Sequence, residues 1–361
     1  MTAVNTGGDV EIAGGRSGST IRFAAAAGLA ALAGADRSVV VADELTADFV
    51  PRDFPRERVL VVPRGEAAKR LESLDALFAG FLELEVGRDW TVVGVGGGSV
   101  SDLAGFAAST WMRGIDFGFV PTTLLAMVDA SVGGKNGLDY RGRKNLIGCF
   151  SQPRFVLVDP SLLSSLPDYE LNCGFVEAIK HGVIAGDEHL TMLEQAVAGS
   201  GRIDRGALPP LIRLSIGFKA AIAGTDERES GVRRTLNLGH TIGHGVEAVT
   251  ALAHGASVAA GLGSAFALAA ERGGSRVDAE RVGALLDRLG LPKGLEAARL
   301  AAPETRGLSP AAFRDAVAVA MASDKKRVGG DVLFASPMAI GDVRMESIPL
   351  VALQEFVRRA P

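Results

Sequence analysis

Residues 91–102 read TVVGVGGGSVSD, and this stretch decides the fold of the first half of the chain. The β-branched run 91–95 predicts a strand, the glycines 96–98 predict a tight turn, and a helix is expected from about Asp102 to Thr110. A glycine turn lets the backbone approach a pyrophosphate, and the helix N-terminus that follows attracts negative charge. Because Ser101 replaces the last glycine of the GxGxxG fingerprint, the triplet alone also fits a purely structural turn.

Strands and helices alternate through the rest of this half. Runs of β-branched residues predict further strands at 39–41, 59–62, 117–120 and 155–158, and apolar spacing predicts a helix over 67–84. Alternation of this kind is typical of a parallel sheet covered by helices on both faces. Pro121, Thr122 and Thr123 follow one strand and add hydroxyl groups at the sheet edge where ligands of such folds bind.

The second half changes character after about residue 166. Its segments are rich in Ala and Leu and have helical period at 169–184, 211–224, 258–272 and 279–289, with short strands expected only at 332–336 and 338–340. We therefore predict an α/β N-terminal domain, residues 1–166, followed by a mainly α-helical C-terminal domain, residues 167–361.

Composition limits the classes of protein. The 361 residues are 47% hydrophobic and 22% charged, with a net charge of −4, which fits a globular enzyme and argues against a nucleic-acid partner. Cys149 and Cys173 form no CxxC pattern, so we expect reduced thiols rather than disulfides or a zinc knuckle. The apolar run 23–35 is shorter than a membrane span of about 20 residues, and the start of the chain lacks a secretory pattern. We expect a cytoplasmic protein with no membrane partner.

Three of the five histidines, His240, His244 and His254, lie in one short window. His240 and His244 are four residues apart on a predicted helix and share a face. Catalytic zinc sites use three protein ligands and keep one position open. Since the HExxH pattern is absent, a further ligand must come from elsewhere, and Glu177, three residues before Lys180, is a candidate. A single helical histidine is more commonly structural, but a cluster favours a metal site.

Several cations stand in apolar or glycine-rich surroundings. A buried lysine needs a partner charge unless its head reaches solvent, and the second arrangement is the alternative for each of these residues. Together they predict a pocket for a ligand with several negative charges, such as a phosphate and a carboxylate. They are Arg113, Lys135, Lys144, Lys219, Arg233, Lys325 and Lys326.

Seven segments, taken in order, resemble the 3-dehydroquinate synthase family. They are GGGSVSDLAGFAASTWMRG, VPTTLLAMVDASVGGKNG, GRKNLIGCFSQP, FVEAIKHG, DERESGVRRTLNLGHTIGH, HGASVAAG and MASDKK. The resemblance covers roughly residues 64–361 and implies a dehydroquinate synthase-like fold, with a Rossmann-like NAD-binding domain before a helical domain that binds metal and substrate. It also implies a homodimer.

The resemblance implies a role for each matching residue. One divalent ion, zinc or cobalt, is expected on Glu177, His240 and His254. NAD is expected to contact Asp43, Glu66, Lys69, Gly97, Gly98, Ser99, Asp102, Thr122 and Thr123, and also Asp129, Lys135 and Lys144. The substrate carboxylate is expected on Lys219, Arg233 and Asn237. Its phosphate is expected on Lys135, Asn145, His244, Lys325 and Lys326, with Arg113 reaching over from a second subunit. Asp129, Lys144 and Lys180 would complete the hydroxyl and carbonyl contacts.

The implied reaction converts a seven-carbon sugar phosphate, 3-deoxy-D-arabino-heptulosonate 7-phosphate, into 3-dehydroquinate and phosphate. Its stages are transient oxidation by NAD, β-elimination of phosphate, re-reduction, ring opening and an intramolecular aldol closure. Two positions depart from the family pattern: Asn136 stands where a threonine is usual, and Leu45 stands where an asparagine commonly follows Asp43 by two residues.

Three alternatives stay open. Another sugar phosphate cyclase, such as an aminodehydroquinate, 2-epi-5-epi-valiolone or 2-deoxy-scyllo-inosose synthase, would share most of these residues. The carboxylate group of Lys219, Arg233 and Asn237 disfavours those whose substrate lacks a carboxylate, but not the amino variant. A metal-dependent polyol dehydrogenase would release NADH and would not need the phosphate-binding lysines. A regulatory nucleotide-binding protein without activity would not need the complete metal set.

Overall fold

The computed structural model describes residues 8–12, 18–322, 327–328 and 330–360. The chain divides into two compact units. The first comprises Met1–Leu166 and Ile212–Arg228, and the second comprises Pro167–Leu211 and Glu229–Pro361. The sequence pattern assigned the whole of 167–361 to one domain, whereas Ile212–Arg228 packs with the first unit.

Nine strands lie among the described residues of the first unit. They are β1 Val10–Ile12, β2 Ser19–Phe23, β3 Ser38–Asp43, β4 Val59–Val62, β5 Thr91–Gly96, β6 Asp116–Pro121, β7 Lys135–Tyr140, β8 Arg143–Phe150 and β9 Phe155–Val158. Seven of them form one sheet in the order β1-β2-β9-β6-β5-β3-β4. Every pairing in this sheet is parallel except β1 with β2.

Burial explains why the central strands read as continuous apolar runs. Every residue of β3 and of β5 is buried, as expected for strands of a parallel sheet that is covered on both faces. The predicted strands 59–62 and 155–158 have the bounds of β4 and β9. The strands of the hairpin β7–β8 were not predicted, because their sequence is polar and rich in glycine. Their connection, Arg141 and Gly142, has positive φ at both residues, as a two-residue hairpin turn requires.

Three helices of the first unit are α1 Leu29–Ala33, α2 Leu71–Glu83 and α3 Gly98–Thr110. Helix α3 begins four residues before the predicted start at Asp102, so the last glycine of the triplet is already its first residue. Glycine has a low helix propensity, so the sequence predicts a start of α3 that is later than the observed one. The consequence is that the first turn of α3 follows directly on the end of β5.

The remaining helices are α4 Asp168–Ala185, α5 Asp187–Gln195, α6 Leu208–Thr225, α7 His240–Val249, α8 His254–Glu271, α9 Arg276–Arg288, α10 Leu295–Ala301, α11 Pro310–Met321 and α12 Leu350–Arg359. All lie in the second unit except most of α6, which belongs to the first. The second unit also holds an antiparallel sheet of β10 Arg327–Val328, β11 Asp331–Ala339 and β12 Asp342–Pro349. The two short strands predicted at 332–336 and 338–340 are wrong as separate elements: β11 is continuous, with a register shift between Pro337 and Ala339.

One helical stretch, Arg205–Thr225, is long and apolar enough to cross a membrane. Its apolar window is 44% buried, and core helices of globular proteins meet the same criterion. Lys219 on this stretch forms an ion pair with Asp129 inside the first unit. The stretch is therefore weak support for a membrane partner.

Candidate active site

The loops at the carboxyl edge of the large sheet carry several of the residues predicted to contact NAD. The chain leaves β3 toward β4 and leaves β5 toward β6, so the strand order reverses between β3 and β5. Dinucleotides bind at such a reversal. Asp43 ends β3, where its carboxylate accepts hydrogen bonds from the backbone of Leu45 and Thr46, each at 2.9 Å. The structure thus shows Asp43 closing a local turn at the edge where a ligand is expected.

The turn after β5 packs closely against its neighbours because its residues are small. A Cβ on Gly97 would lie 3.3 Å from Thr123 Cγ2, and one on Gly98 would lie 3.2 Å from Ala130 Cβ. The backbone N–H of Thr122 donates to Gly96 at 2.9 Å and ties the end of β6 to this turn. The first N–H groups of α3 begin here, and they are the groups that bind a pyrophosphate in comparable folds.

Lys69 is the centre of a charged cluster in the first unit. Its ammonium group donates to Asp102 Oδ2 at 2.7 Å and to Asn145 Oδ1. Burial alone would lower the pKa of Lys69, but the carboxylates of Asp102 and Glu66 outweigh it, and the pKa is raised. Lys69 is therefore a fixed positive charge, although only 4% of it is exposed.

Glu66 connects this cluster to two more of the predicted residues. Its carboxylate accepts a hydrogen bond from Ser99 Oγ at 3.2 Å and lies 3.5 Å from Lys144 Nζ. Burial opposes ionisation of Glu66, but Lys69 and Lys144 lower its pKa below the ordinary value. The structure thus brings together six of the residues that the sequence assigned to ligand binding: Glu66, Lys69, Ser99, Asp102, Lys144 and Asn145.

Asp129 and Lys219 form a separate pair in the first unit. Asp129 lies in a single turn of π-helix, Ala126–Ala130, shortly after β6, and Lys219 lies on α6. The lysine Nζ is 2.8 Å from the Asp129 carboxylate. Two other predicted residues, Lys135 and Arg113, are exposed, and Arg113 has a left-handed backbone with φ of 70°.

The second unit brings the three predicted metal ligands together. Glu177 Oε1 lies 3.7 Å from His240 Nε2 and 3.7 Å from His254 Nε2. One ligand atom from each residue lies within 4.8 Å of the others. Two donors of a tetrahedral zinc ion are roughly 3.4 Å apart, since zinc binds nitrogen and oxygen at about 2.0–2.2 Å. The separations therefore fit one shared ion.

Hydrogen bonding prepares this site for a cation. His240 Nδ1 lies 3.1 Å from the carbonyl oxygen of Leu238, which can only accept, so Nδ1 carries a proton and Nε2 is the nitrogen that faces Glu177. Glu177 is only 1% exposed, and it forms an ion pair with Lys180 one turn along α4. A buried carboxylate among two imidazole lone pairs is a donor set that suits zinc or cobalt.

Close helix packing sets the distances between the ligands. A Cβ on Gly255, the residue after His254, would lie 2.1 Å from the carbonyl oxygen of Cys173 on α4. A Cβ on Gly261 would lie 1.9 Å from the carbonyl oxygen of Gly239, which precedes His240 and has a φ of +78°. Glycine is required at both contacts, and α8 consequently approaches the helix of Glu177 and the helix of His240 at backbone distance.

The cysteines are free, as the sequence predicts. Burial raises the pKa of the Cys173 thiol to about 11 and also raises that of Cys149, so neither thiol is activated as a nucleophile.

The structure describes three of the other predicted residues of the second unit. The His244 ring centre lies 5.3 Å from that of His240 and 6.1 Å from that of His254. Arg233 is 2% exposed, on the short helix Val232–Asn237. Asn237, at the end of that helix, donates to the Glu229 carboxylate. Lys325 and Lys326 lie outside the described residues.

Sequence reasoning missed two carboxylates here. Glu247 lies 3.3 Å from His254 Nδ1, and Glu229 accepts the hydrogen bond from Asn237. The signal for Glu247 was its spacing, since it follows His240 by seven residues and His244 by three on one helix, and so shares their face. Glu229 lies in the DERES segment and has a positive φ of 57°. Nothing in the sequence predicts this backbone conformation.

Comparison with known proteins agrees with this geometry. The family model for the 3-dehydroquinate synthase N-terminal region matches residues 59–173, and the model for the 3-dehydroquinate synthase C-terminal region matches residues 174–327. The chain belongs to the 3-dehydroquinate synthase family. A 3-dehydroquinate synthase of Picosynechococcus sp. is 40% identical over 289 residues, which are 78% of this chain and 76% of that protein. The resemblance inferred from the seven segments is therefore confirmed.

Solved structures confirm the predicted dehydroquinate synthase-like fold of this family member. A 2-deoxy-scyllo-inosose synthase complexed with carbaglucose-6-phosphate, NAD+ and Co2+ has a TM-score of 0.81 and 22% identity, covering 97% of this chain and 99% of that one. A 2-epi-5-epi-valiolone synthase from Streptomyces hygroscopicus, with NAD+ and Zn2+ bound, has a TM-score of 0.79 and 24% identity, covering 96% and 98%.

Proposed function

We propose that the chain is a 3-dehydroquinate synthase, which converts 3-deoxy-D-arabino-heptulosonate 7-phosphate into 3-dehydroquinate and phosphate. One observation carries the proposal: in a member of this family, Glu177 Oε1 lies 3.7 Å from Nε2 of both His240 and His254. When bound, NAD would take up and later return one hydride, and the divalent ion, zinc or cobalt, would polarise the oxygen of the carbon that is oxidised.

Glu177, His240 and His254 would hold the ion, and Lys180 stabilises the buried carboxylate of Glu177. Burying the Glu177 carboxylate costs free energy, and its ion pair with Lys180 offsets that cost. Glu177 is the one carboxylate among the three ligands, and Lys180 is the cation paired with it. This arrangement accepts a dication and can attract the anionic substrate once the dication is present.

The residues proposed to bind the substrate form two groups, one for its carboxylate and one for its phosphate. Arg233 presents a planar guanidinium that can bind a carboxylate through two hydrogen bonds, and it is held rigid by burial. Lys219 and Asn237 would add one donor each. His244, close to the two ligand imidazoles, would donate to the phosphate, together with Lys135, Asn145, Lys325 and Lys326. The substrate phosphate itself would serve as the base for its own elimination.

The NAD contacts are proposed at the carboxyl edge of the large sheet. The first turn of α3 supplies N–H groups for the pyrophosphate, with Gly97 and Gly98 allowing close approach. Asp43 ends the strand at the reversal of strand order, the place where an acidic residue contacts ribose in related folds. The ionised Glu66 and Lys69 would contact the dinucleotide further along this edge.

We propose further that the protein acts in the cytoplasm as a homodimer and that Arg113 completes the site of a second subunit. The exposed Arg113 side chain and its left-handed backbone are the features that support this role. Mixing Arg113→Ala and Lys219→Met chains tests it, at a substrate concentration at which neither variant is active alone. Subunits that share a site in this way recover about a quarter of the wild-type activity in a 1:1 mixture, because half the dimers are mixed and each has one intact site. An inactive mixture of proven mixed dimers would exclude the shared site.

One assay tests the proposed activity. The purified protein is incubated with the heptulosonate phosphate, NAD and zinc, and the product is identified by mass and NMR. We expect 3-dehydroquinate and one phosphate per turnover, with no net NADH, since the hydride returns within each cycle. A stoichiometric rise in NADH absorbance would instead identify a polyol dehydrogenase. A product bearing an amino group from the corresponding amino sugar phosphate would identify the amino variant.

A further inference from the structure

His254 faces two carboxylates through its two ring nitrogens. Its Nε2 lies 3.7 Å from Glu177 Oε1, and its Nδ1 lies 3.3 Å and 3.5 Å from the two oxygens of Glu247. The Glu247 side chain is 6% exposed, whereas that of His254 is 34% exposed. The more buried carboxylate thus lies behind the more exposed ring.

We propose that Glu247 is a positioning residue of the metal site, which fixes the tautomer and orientation of His254. A neutral imidazole carries one N–H and one lone pair, and an ionised carboxylate can only accept. With Glu247 as acceptor, the proton of His254 lies on Nδ1 and the lone pair of Nε2 faces Glu177. Partners of this kind also raise the basicity of the ligand nitrogen. The proposal rests on the proposed function, since it concerns the same ion site.

The second ligand histidine is held in the same way by a different group. His240 Nδ1 lies 3.1 Å from the Leu238 carbonyl, which is a neutral backbone acceptor. His254, like His240, is the first residue of its helix, but its Nδ1 contacts the Glu247 carboxylate rather than a backbone carbonyl. A side-chain carboxylate therefore supplies for His254 what the backbone supplies for His240.

A competing reading makes Glu247 a ligand itself. Donor atoms of His244, Glu247 and His254 also lie within 4.8 Å of one another. Since Nδ1 is the His254 nitrogen beside Glu247, that set would use Nδ1 as its donor, and the N–H of a neutral ring would then lie on Nε2, which faces Glu177. The set of Glu177, His240 and His254 is favoured because Glu177 Oε1 is equidistant, at 3.7 Å, from two Nε2 atoms.

Zinc affinity tests the proposal. Zinc dissociation constants are measured by competition with a chromophoric chelator for the full-length wild type, Glu247→Ala and Glu247→Gln. We expect Glu247→Ala to weaken binding about 10–100-fold. Glu247→Gln should lose less, because its amide oxygen still accepts from Nδ1–H. The matched control is Glu271→Gln at the other end of α8, where Glu271 pairs with Arg359 on the surface; its affinity should equal that of the wild type.

The outcomes separate this proposal from the proposed function. A wild-type protein that binds no zinc would refute the proposed metal site. A wild type that binds one zinc, together with a Glu247→Ala variant of equal affinity, would refute only the role of Glu247. Since Glu247→Ala could fail to fold, a second measurement uses the zinc-loaded wild type with ¹⁵N-labelled histidine. The proton of His254 is expected on Nδ1 and the metal shift on Nε2; the reverse assignment would overturn the proposal.

Discussion

Lys219 Nζ lies 2.8 Å from an Asp129 carboxylate oxygen, and the same ammonium group donates to the Asp129 carbonyl. The lysine side chain is 8% exposed and the aspartate side chain 25%. The two side chains therefore form a largely buried ion pair. A substrate carboxylate that binds Lys219 has to share it with Asp129, so the lysine is held in place before the ligand arrives.

Replacing Lys219 with methionine should separate substrate binding from cofactor binding. The change removes a charged donor, which contributes about 1.5–3 kcal/mol to a hydrogen bond, so the heptulosonate phosphate should bind about 10–150-fold more weakly. NAD affinity should stay at the wild-type value. Calorimetry measures both constants. Lys293→Met, at a lysine paired with Asp287 on the surface, is the control, and unchanged substrate affinity in Lys219→Met would rule out the carboxylate role.

Removing His254 should empty the metal site without unfolding the chain. The ring is 34% exposed and contributes little to the core, but it supplies one of three ligand atoms. We expect His254→Ala to retain less than about one tenth of an equivalent of zinc after dialysis, measured by elemental analysis. His244→Ala is the comparison, because its ring lies nearby and is proposed to bind phosphate, so it should keep one equivalent. Full zinc occupancy in His254→Ala would disprove the ligand assignment.

Substituting Gly255 should change the geometry of the ion site. Its added Cβ would meet the Cys173 carbonyl oxygen at 2.1 Å, so α8 must move away from α4 and carry His254 away from Glu177. We expect Gly255→Ala to lose both stability and zinc affinity. Gly263→Ala is the control on the same helix, since its Cβ would meet the Lys293 carbonyl oxygen at 1.9 Å, far from the ligands.

Measuring both stability and zinc affinity shows whether a glycine variant disturbs the zinc site itself or only destabilises the fold. Urea unfolding of the metal-free proteins gives the first quantity, and chelator competition gives the second. Gly263→Ala should be destabilised by a comparable amount, yet its folded fraction should bind zinc as the wild type does. If both variants lost zinc affinity equally, the contact at Gly255 would have no special part in placing His254.

Acid should destabilise the fold partly through His189. Burial, and then repulsion from His181, lowers the pKa of His189 from 6.5 to about 4. The unfolded chain therefore takes up a proton between pH 6.5 and 4 that the folded chain does not. Stability is retained above about pH 6.5 and falls as the pH drops, by up to about 3 kcal/mol from this residue. Urea unfolding at pH 7.5 and 5 should show a smaller loss for His189→Gln, and an identical loss would contradict the assignment.

The sequence could predict several of the strands. Strands β4 and β9 have the predicted bounds because short β-branched runs between turns have few alternatives. The start of α3 at Gly98 was missed, since glycine reads as a turn until the packing of the following helix is known. The hairpin of β7 and β8 was missed because its strands are polar and rich in glycine, so periodicity gives no signal there.

In the site, too, features set by local spacing could be predicted from the sequence, whereas contacts set by tertiary packing could not. His240 and His244 were found because helical spacing puts them on one face. The pairing of Lys219 with Asp129 joins positions 90 residues apart and depends on where α6 packs, which periodicity does not specify. Glu247 was passed over because acidic residues on helices are mostly solvated, and only the position of His254 shows what it contacts.

The chain passes out of the first unit after Leu166 and returns to it for Ile212–Arg228. A fragment truncated at Leu166 would lack the helical stretch that carries Lys219 and should expose the apolar surface that this stretch covers. During synthesis, the ribosome must translate residue 228 and release it from the exit tunnel before the sheet unit can be completed, with 45 residues of the second unit, Pro167–Leu211, already made. The first unit therefore cannot fold completely before part of the second unit has been synthesised.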